Sequence, residues 1–360
     1  AISIAGPGSI FWMWITAVIG IATKFFTCTL SVMYREKTKE GEILGGPMYV
    51  IKNGLPKRML PLAYFFALAG MIGCLPAFQS NQLIQITGDL AFSEIENFNI
   101  FGGLALAGIT GIVVIGGLKR IAEVATFLVP LMGSIYFGAM LIALILNLEQ
   151  VFPAFKLILV DAFNGTAIAG GTFFGVLIYG VRRGAFSNEA GMGTESLVHG
   201  VAKVSDPVKQ GLVAMTGPIF DTLIICTATA LMILISGVWE TSTSQGVTLT
   251  AEAFTMLLGN FGGFILFTCV ICFGLSTIFT YSYYGASCSR FLFGKFGMKF
   301  YIYLYIFSIF IYSIVPIDIA INIADGAFAM MAIPTLVSAL WLAPKVMQAS
   351  KNYFKLVDNN

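Results

Sequence analysis

The chain has 360 residues, 58% of them hydrophobic and 11% charged, with a mean hydropathy of +0.88 and a formal charge of +2. An ordinary soluble domain is about 45–50% apolar and about 25% charged, so this much apolar surface cannot be hidden in one soluble core. The small charge, spread through short loops with no basic aromatic face, argues against nucleic acid as a partner.

Taken in chain order, apolar runs broken by polar or Gly/Pro-rich loops predict spans near 9–34, 60–82, 99–117, 126–146, 166–185, 211–238, 261–284, 300–317 and 320–344. Each is continuously apolar over about the 20 residues that a helix needs to cross a hydrocarbon core of about 30 Å. A transmembrane β-barrel would show shorter segments of alternating polarity, and these do not alternate. The fold class expected is an all-α polytopic membrane protein with about nine spans. The stretch 41–58 is too short and too glycine-rich to span, and reads as a segment at the inner interface.

Placing residue 1 outside and the C-terminus in the cytoplasm sorts the basic residues by side. Eighteen fall on the cytoplasmic side, among them Arg182 and Arg183; Lys156 falls outside and Lys24 within the first span, which accounts for the 20 Lys and Arg. That asymmetry follows the positive-inside rule. An outer residue 1 with no signal peptide before the first span leads to the expectation that at least one helix precedes Ala1.

Polar clusters inside spans point to function. In 175–196, GVLIYGVRRGAFSNEAGMGTES, glycine density together with Ser187 and Asn188 predicts unwound backbone between Gly184 and Gly191. Freed backbone groups are tolerated in a bilayer only when buried in protein or lining a cavity, so such a break marks a binding site; the alternative is a plain polar end of the span. In span two, Pro76 precedes Gln79, Ser80, Asn81 and Gln82, and the proline breaks the hydrogen-bond ladder unless the helix is simply emerging. In span seven, Ser276, Thr277, Thr280 and Ser282 offer hydroxyls that suit Na⁺, or else serve helix packing. Asp221, Asp325 and Lys24 are ionisable groups within spans, costly there and functional by default; Asp221 is also placed to pair with Arg182 or Arg183.

The six cysteines lie mostly in apolar runs without zinc-ligand spacing, and His199 has no second histidine to join it at a metal. No cofactor is expected beyond a coupling ion. A membrane enzyme would need a nucleophile with its base or a metal cluster, and a channel would need a filter of repeated carbonyls or charged rings; neither pattern is present.

Several motifs carry a family resemblance: GPGSIFWMWITAVIGIATK (6–24), GEILGGPMYVIKNGL (41–55), GGLKRIAEVA (116–125), RGAFSNEAGMGTES (183–196), DPVKQGLVAM (206–215), FDTLIICTATALMILISGVW (220–239), FGLSTIFTYSYYG (273–285) and NIADGAFAMMAIP (322–334). In this order and spacing, over essentially the whole chain, they resemble the alanine/glycine:cation symporter family of bacterial and archaeal cell membranes. The resemblance implies the leucine-transporter-type fold, two inverted five-helix repeats in one transmembrane domain, 1–360. Residues 1–146 would be the remainder of the first repeat (core helices two to five) and 166–344 the second (core helices six to ten), with the first core helix missing from this chain.

It further implies Na⁺-coupled symport of a small neutral amino acid, alanine or glycine, with H⁺ or another cation as the alternative coupling ion. A truncated chain inactive as it stands is a further alternative. By motif, Phe186, Ser187, Asn188, Gln79, Asn81, Thr277 and Tyr281 would contact the amino acid, and Ser276 and Thr277 would bind Na⁺. Membrane lipid is the remaining partner implied. Four positions depart from the family pattern: Tyr281 stands where Trp is frequent, Thr27 and Ala286 where an acid is frequent, and Phe328 where Asn is expected. The Tyr281 change touches the pocket, so substrate preference is less defined than transport class.

Overall fold

The computed structural model describes residues 1–92, 94–164, 173–244 and 246–358, and nearly all of them are helical. The start of the expected fifth span, 166–172, lies outside the described residues. Among the described residues, six helical stretches are long and apolar enough to cross a membrane: Ser9–Met33, Lys57–Asp89, Gly117–Leu146, Pro207–Ser236, Asn260–Ile314 and Ile319–Val357. The protein is therefore an all-α membrane protein.

Helix α1 (Ser9–Met33) runs into a two-stranded hairpin, β1 (Glu36–Lys37) and β2 (Ile43–Leu44), paired antiparallel with Glu36 opposite Leu44. Helix α2 (Pro47–Gly54) follows, then α3 (Leu60–Gly73) and α4 (Ala77–Ala91). The expected interruption in span two is present: α3 stops before Cys74 and α4 restarts after Pro76, whose ring cannot donate to the ladder. The 41–58 stretch holds only a short helix, as expected of a segment that does not span. Met48, Tyr49, Val50 and Ile51 of α2 are at most 6% exposed, so its apolar face docks on protein.

Next come α5 (Phe98–Val114), α6 (Gly117–Leu146) and α7 (Leu148–Asn164). Helix α7 was not anticipated, because Glu149, Lys156 and Asp161 interrupt its apolar run. It holds the start of α1: an Asp161 carboxylate oxygen accepts from the Gly8 amide at 2.8 Å, a favourable charge at a helix N-terminus. Helices α8 (Phe173–Asn188) and α9 (Thr194–His199) flank a break. Helix α10 (Pro207–Pro218) then passes through a π-helical turn, Ile219–Cys226, into α11 (Thr227–Ser236), and α12 (Val247–Leu258) leads to the last two helices.

Helix α13 (Asn260–Ile314) has 55 residues, and straight it would reach about 82 Å, far beyond a bilayer core. Gly294, at φ 67° and ψ −158°, folds it back on itself. The Tyr305 hydroxyl donates to the Ile278 carbonyl at 2.6 Å across the two arms. A Cβ at Gly285 would lie 2.1 Å from the Tyr301 hydroxyl, so only glycine lets the arms approach this closely. Helix α14 (Ile317–Asp358) packs on α3, and the main core gathers Phe66, Met48, Ile278, Tyr301 and Tyr305 between α2, α3, α13 and α14.

The hairpin ties the turn of α13 to α1. Glu42 pairs with Arg290, Glu40 with Lys295, and Lys52 with Glu36 at 2.8 Å. The Arg290 guanidinium holds the Glu42 carboxyl below its ordinary range.

Substituting Gly285→Leu should wedge the arms of α13 apart. Overpacking of this kind costs about 1–3 kcal/mol. A fall of several degrees in the melting temperature of the detergent-solubilised protein is expected, and an unchanged melting temperature would contradict the tight approach.

Candidate functional site

Helix α8 approaches α1 through a glycine pair four residues apart. A Cβ at Gly180 would sit 2.4 Å from the Ser9 carbonyl oxygen, and one at Gly184 would sit 2.9 Å from Thr16 Cβ and 3.1 Å from Met13 Cα. Small residues at this spacing let two membrane helices meet at backbone distance. Gly184 is therefore helical and a packing residue, which corrects the expectation that unwinding begins there. The helix persists to Asn188 because α1 supports it along this face.

The break lies at Glu189–Gly193. Glu189 takes φ +54°, an uncommon conformation for a residue with a side chain, and Gly191 and Gly193 both take φ +85°. Gly191 thus falls where unwinding was expected. Surrounding groups hold the break in place. Asn188 Oδ1 accepts from the Ala190 amide at 2.9 Å, Thr194 donates to Glu189 Oε2 at 2.6 Å, and Tyr281 donates to Glu189 Oε1 at 2.6 Å. Thr335 on α14 donates to the Met192 carbonyl at 3.3 Å.

Against this break lies a cavity of about 520 Å³ between α4, α8, the π-helical turn, α12 and α13. Gln79, Phe186, Ser187, Thr277 and Tyr281 line it, and so do Phe78, Gln82, Glu189 and Asp221. The structure thereby brings together five of the seven residues expected to contact the amino acid. Phe186 packs edge-on to Phe78 at 5.9 Å and to Phe328 at 5.7 Å, and Phe328 meets Tyr281 at 6.3 Å, so one side of the cavity is an aromatic wall.

Two of the expected residues lie elsewhere. Asn81 points away, donating to the carbonyls of Val315 at 2.6 Å and Tyr312 at 3.3 Å; it satisfies the chain ends between α13 and α14. Asn188 is 2% exposed and packs against Gly20 of α1, its oxygen spent on the break and its Nδ2 without a partner among the described residues. The two residues expected at Na⁺ also part. Thr277 faces the cavity, while Ser276 is buried and absent from its lining, since neighbouring helical positions point about 100° apart. Both hydroxyls donate to the Phe273 carbonyl, at 2.9 Å and 3.0 Å.

The ion pairs differ from expectation as well. Arg182 and Arg183, at the end of the expected fifth span, belong to α8, and both bond Asp325 of α14, Arg183 at 2.6 Å. Arg183 also lies over the rings of Phe186, at 5.3 Å, and Tyr179, at 5.6 Å. Asp221 is left to hydroxyls: Ser187 donates to its Oδ2 at 2.6 Å and Thr222 at 3.2 Å. Its place on the cavity had one sequence signal, the cost of a carboxylate within a span. Glu189 had none beyond its seat in the glycine-rich motif.

The family model described as the sodium:alanine symporter family matches residues 1–360. An uncharacterized transporter of Bacillus subtilis, YflA, is 37% identical over 98% of this chain and 76% of its own length. The sodium/alanine symporter AgcS of Methanococcus maripaludis is 35% identical over 99% of the chain and 79% of its own. A probable sodium/glutamine symporter of Bacillus subtilis, GlnT, is 34% identical over 98% of the chain and 73% of its own.

Replacing Asp325 by Ala strands the largely buried Arg183 guanidinium, Arg182 being about half exposed, and removing one member of a buried pair costs about 3–5 kcal/mol. The expected readout is a sharply lowered melting temperature for Asp325→Ala, largely restored when Arg182 and Arg183 are also replaced by Met. Wild-type stability in the single variant would show that the trio carries no structural load.

Proposed function

The chain belongs to the sodium:alanine symporter family and is a transporter, not an enzyme; from that premise we propose that it couples the entry of a small neutral amino acid, alanine or glycine, to Na⁺. The observation that carries this reading is the break in α8 facing the cavity. Phe186, Ser187 and Glu189 from the broken helix and Thr277 and Tyr281 from α13 meet at one space, where an amino acid finds both polar partners and an aromatic wall. The aromatic side formed by Phe186 and Tyr281, backed by the buried Phe328, suits a short side chain. Thr277 supplies a hydroxyl oxygen for the cation, while the neighbouring Ser276, about 100° round the helix, bonds the same Phe273 carbonyl.

On this reading the chain crosses the membrane nine times. The six long apolar stretches become seven crossings once α13 is divided at Gly294, and α5 and α8 complete the nine. Residue 1 then lies outside and the C-terminus in the cytoplasm. Residues 1–146 and 166–344 form the two halves of an inverted repeat, and transport proceeds by rocking of one bundle against the other around the fixed site.

Two carboxylates on the cavity, Glu189 and Asp221, favour a second reading in which H⁺ replaces Na⁺, because either can accept a proton. Uptake of radiolabelled alanine into proteoliposomes separates the two. The expected result is accumulation driven by an inward Na⁺ gradient at equal pH and absent with K⁺. Accumulation driven by a pH gradient alone would overturn the Na⁺ assignment. Linkage adds a quantitative requirement: Na⁺ should raise alanine affinity, and alanine should raise Na⁺ affinity, by the same factor, within about 5–150-fold.

A further inference from the structure

Two acidic side chains, Glu189 and Asp221, line the cavity, and Asp325 lies behind its aromatic side; Asp325 and Glu189 are fully engaged. Asp325 takes both arginines of α8. Glu189 has one carboxylate oxygen on Tyr281 and the other on Thr194, each at 2.6 Å. Asp221 differs from both: it is in no ion pair among the described residues, its Oδ2 accepts only from the hydroxyls of Ser187 and Thr222, and no described residue donates to its Oδ1. A carboxylate within a span and on a cavity, hydrogen-bonded by neutral hydroxyls and with the Lys24 charge acting only at longer range, is poised for a cation that arrives with the cargo.

Its backbone setting favours the same role. Asp221 sits on the π-helical turn Ile219–Cys226, and π-turns interrupt the regular ladder and occur often at functional sites. The turn brings Asp221 against Ser187, the last turn of α8 before the break, so the carboxylate and the unwound backbone border one space.

We propose that Asp221 binds the α-ammonium group of the transported amino acid and thereby makes the carrier select for amino acids over hydroxy acids of the same shape. This rests on the cavity being the amino-acid site. An ammonium group brings three donors and one charge, which the open Oδ1 and the lone pairs of Ser187 can meet. A metal ion is a poorer match, because hard cations gather about six or more oxygens and this corner supplies one carboxylate and two hydroxyls.

The test compares wild type, Asp221→Asn and Asp221→Glu in alanine uptake by proteoliposomes, with carbodiimide labelling of Asp221 in the wild type read by mass spectrometry. Asp221→Asn is expected to raise the KM for alanine about 10- to 100-fold, the range for losing a hydrogen bond to a charged group, with partial recovery in Asp221→Glu. The Na⁺ concentration for half-maximal uptake at saturating alanine should stay unchanged. In the wild type at fixed Na⁺, alanine should protect Asp221 from labelling and lactate should not; this arm decides the matter if Asp221→Asn does not fold.

An unchanged KM for alanine in Asp221→Asn, a loss confined to Na⁺ affinity, or protection by lactate equal to that by alanine would each overturn the proposal. Absence of Na⁺-driven alanine uptake by the wild type would instead overturn the underlying reading of the cavity.

Discussion

A buried backbone amide or carbonyl must find a partner, and the interruption of α8 at Glu189–Gly193 is a place where this chain meets that constraint. The break persists because neighbours satisfy it from several sides. Asn188 caps the Ala190 amide, Thr335 of α14 reaches the Met192 carbonyl, and Ser196 donates to the Gly193 carbonyl at 2.7 Å. Ser31 of α1 in turn donates to the Ser196 carbonyl at 2.7 Å and accepts from the Gly46 amide ahead of α2. Helices α1, α2, α13 and α14 therefore all bear on one short stretch of irregular chain.

The same arrangement explains why Glu189 adopts a backbone conformation that disfavours side chains. Strain of that kind costs of order 1–3 kcal/mol and survives only where the surroundings over-determine it. Here the Tyr281 and Thr194 hydroxyls grip both carboxylate oxygens, so the side chain that makes the conformation costly is also the one that fastens it. Close by, Arg183 joins the Asp325 pair to the Phe186 ring, which links the position of α8 against α14 to the wall of the cavity. A movement of α8 relative to α14 would be felt at both.

What could be seen in the sequence was what depends on local chemistry. Unbroken apolar runs marked the spans, Pro76 marked the interruption between α3 and α4, and the glycine-rich motif marked the region of the α8 break. What could not be seen depends on which face a neighbour covers. Gly184 resembles a helix breaker until α1 is placed against it at backbone distance. Asn81 resembles a pocket residue until the ends of α13 and α14 are brought to its amide. Arg182 and Arg183 look like charges that merely flank the inner end of a span until Asp325, more than 140 residues later, is folded beside them. Ser276 and Thr277 are alike in composition, and only the rotation of α13 decides which one sees the cavity.

The claim that the broken helix forms the amino-acid site is tested most directly by an experimental structure of the protein in a lipid nanodisc with alanine and Na⁺. The account predicts an α8 interrupted after Asn188, with ligand density between Phe186–Ser187 and Tyr281. A continuous helix through Glu189–Gly193, or alanine bound away from this cavity, would contradict it.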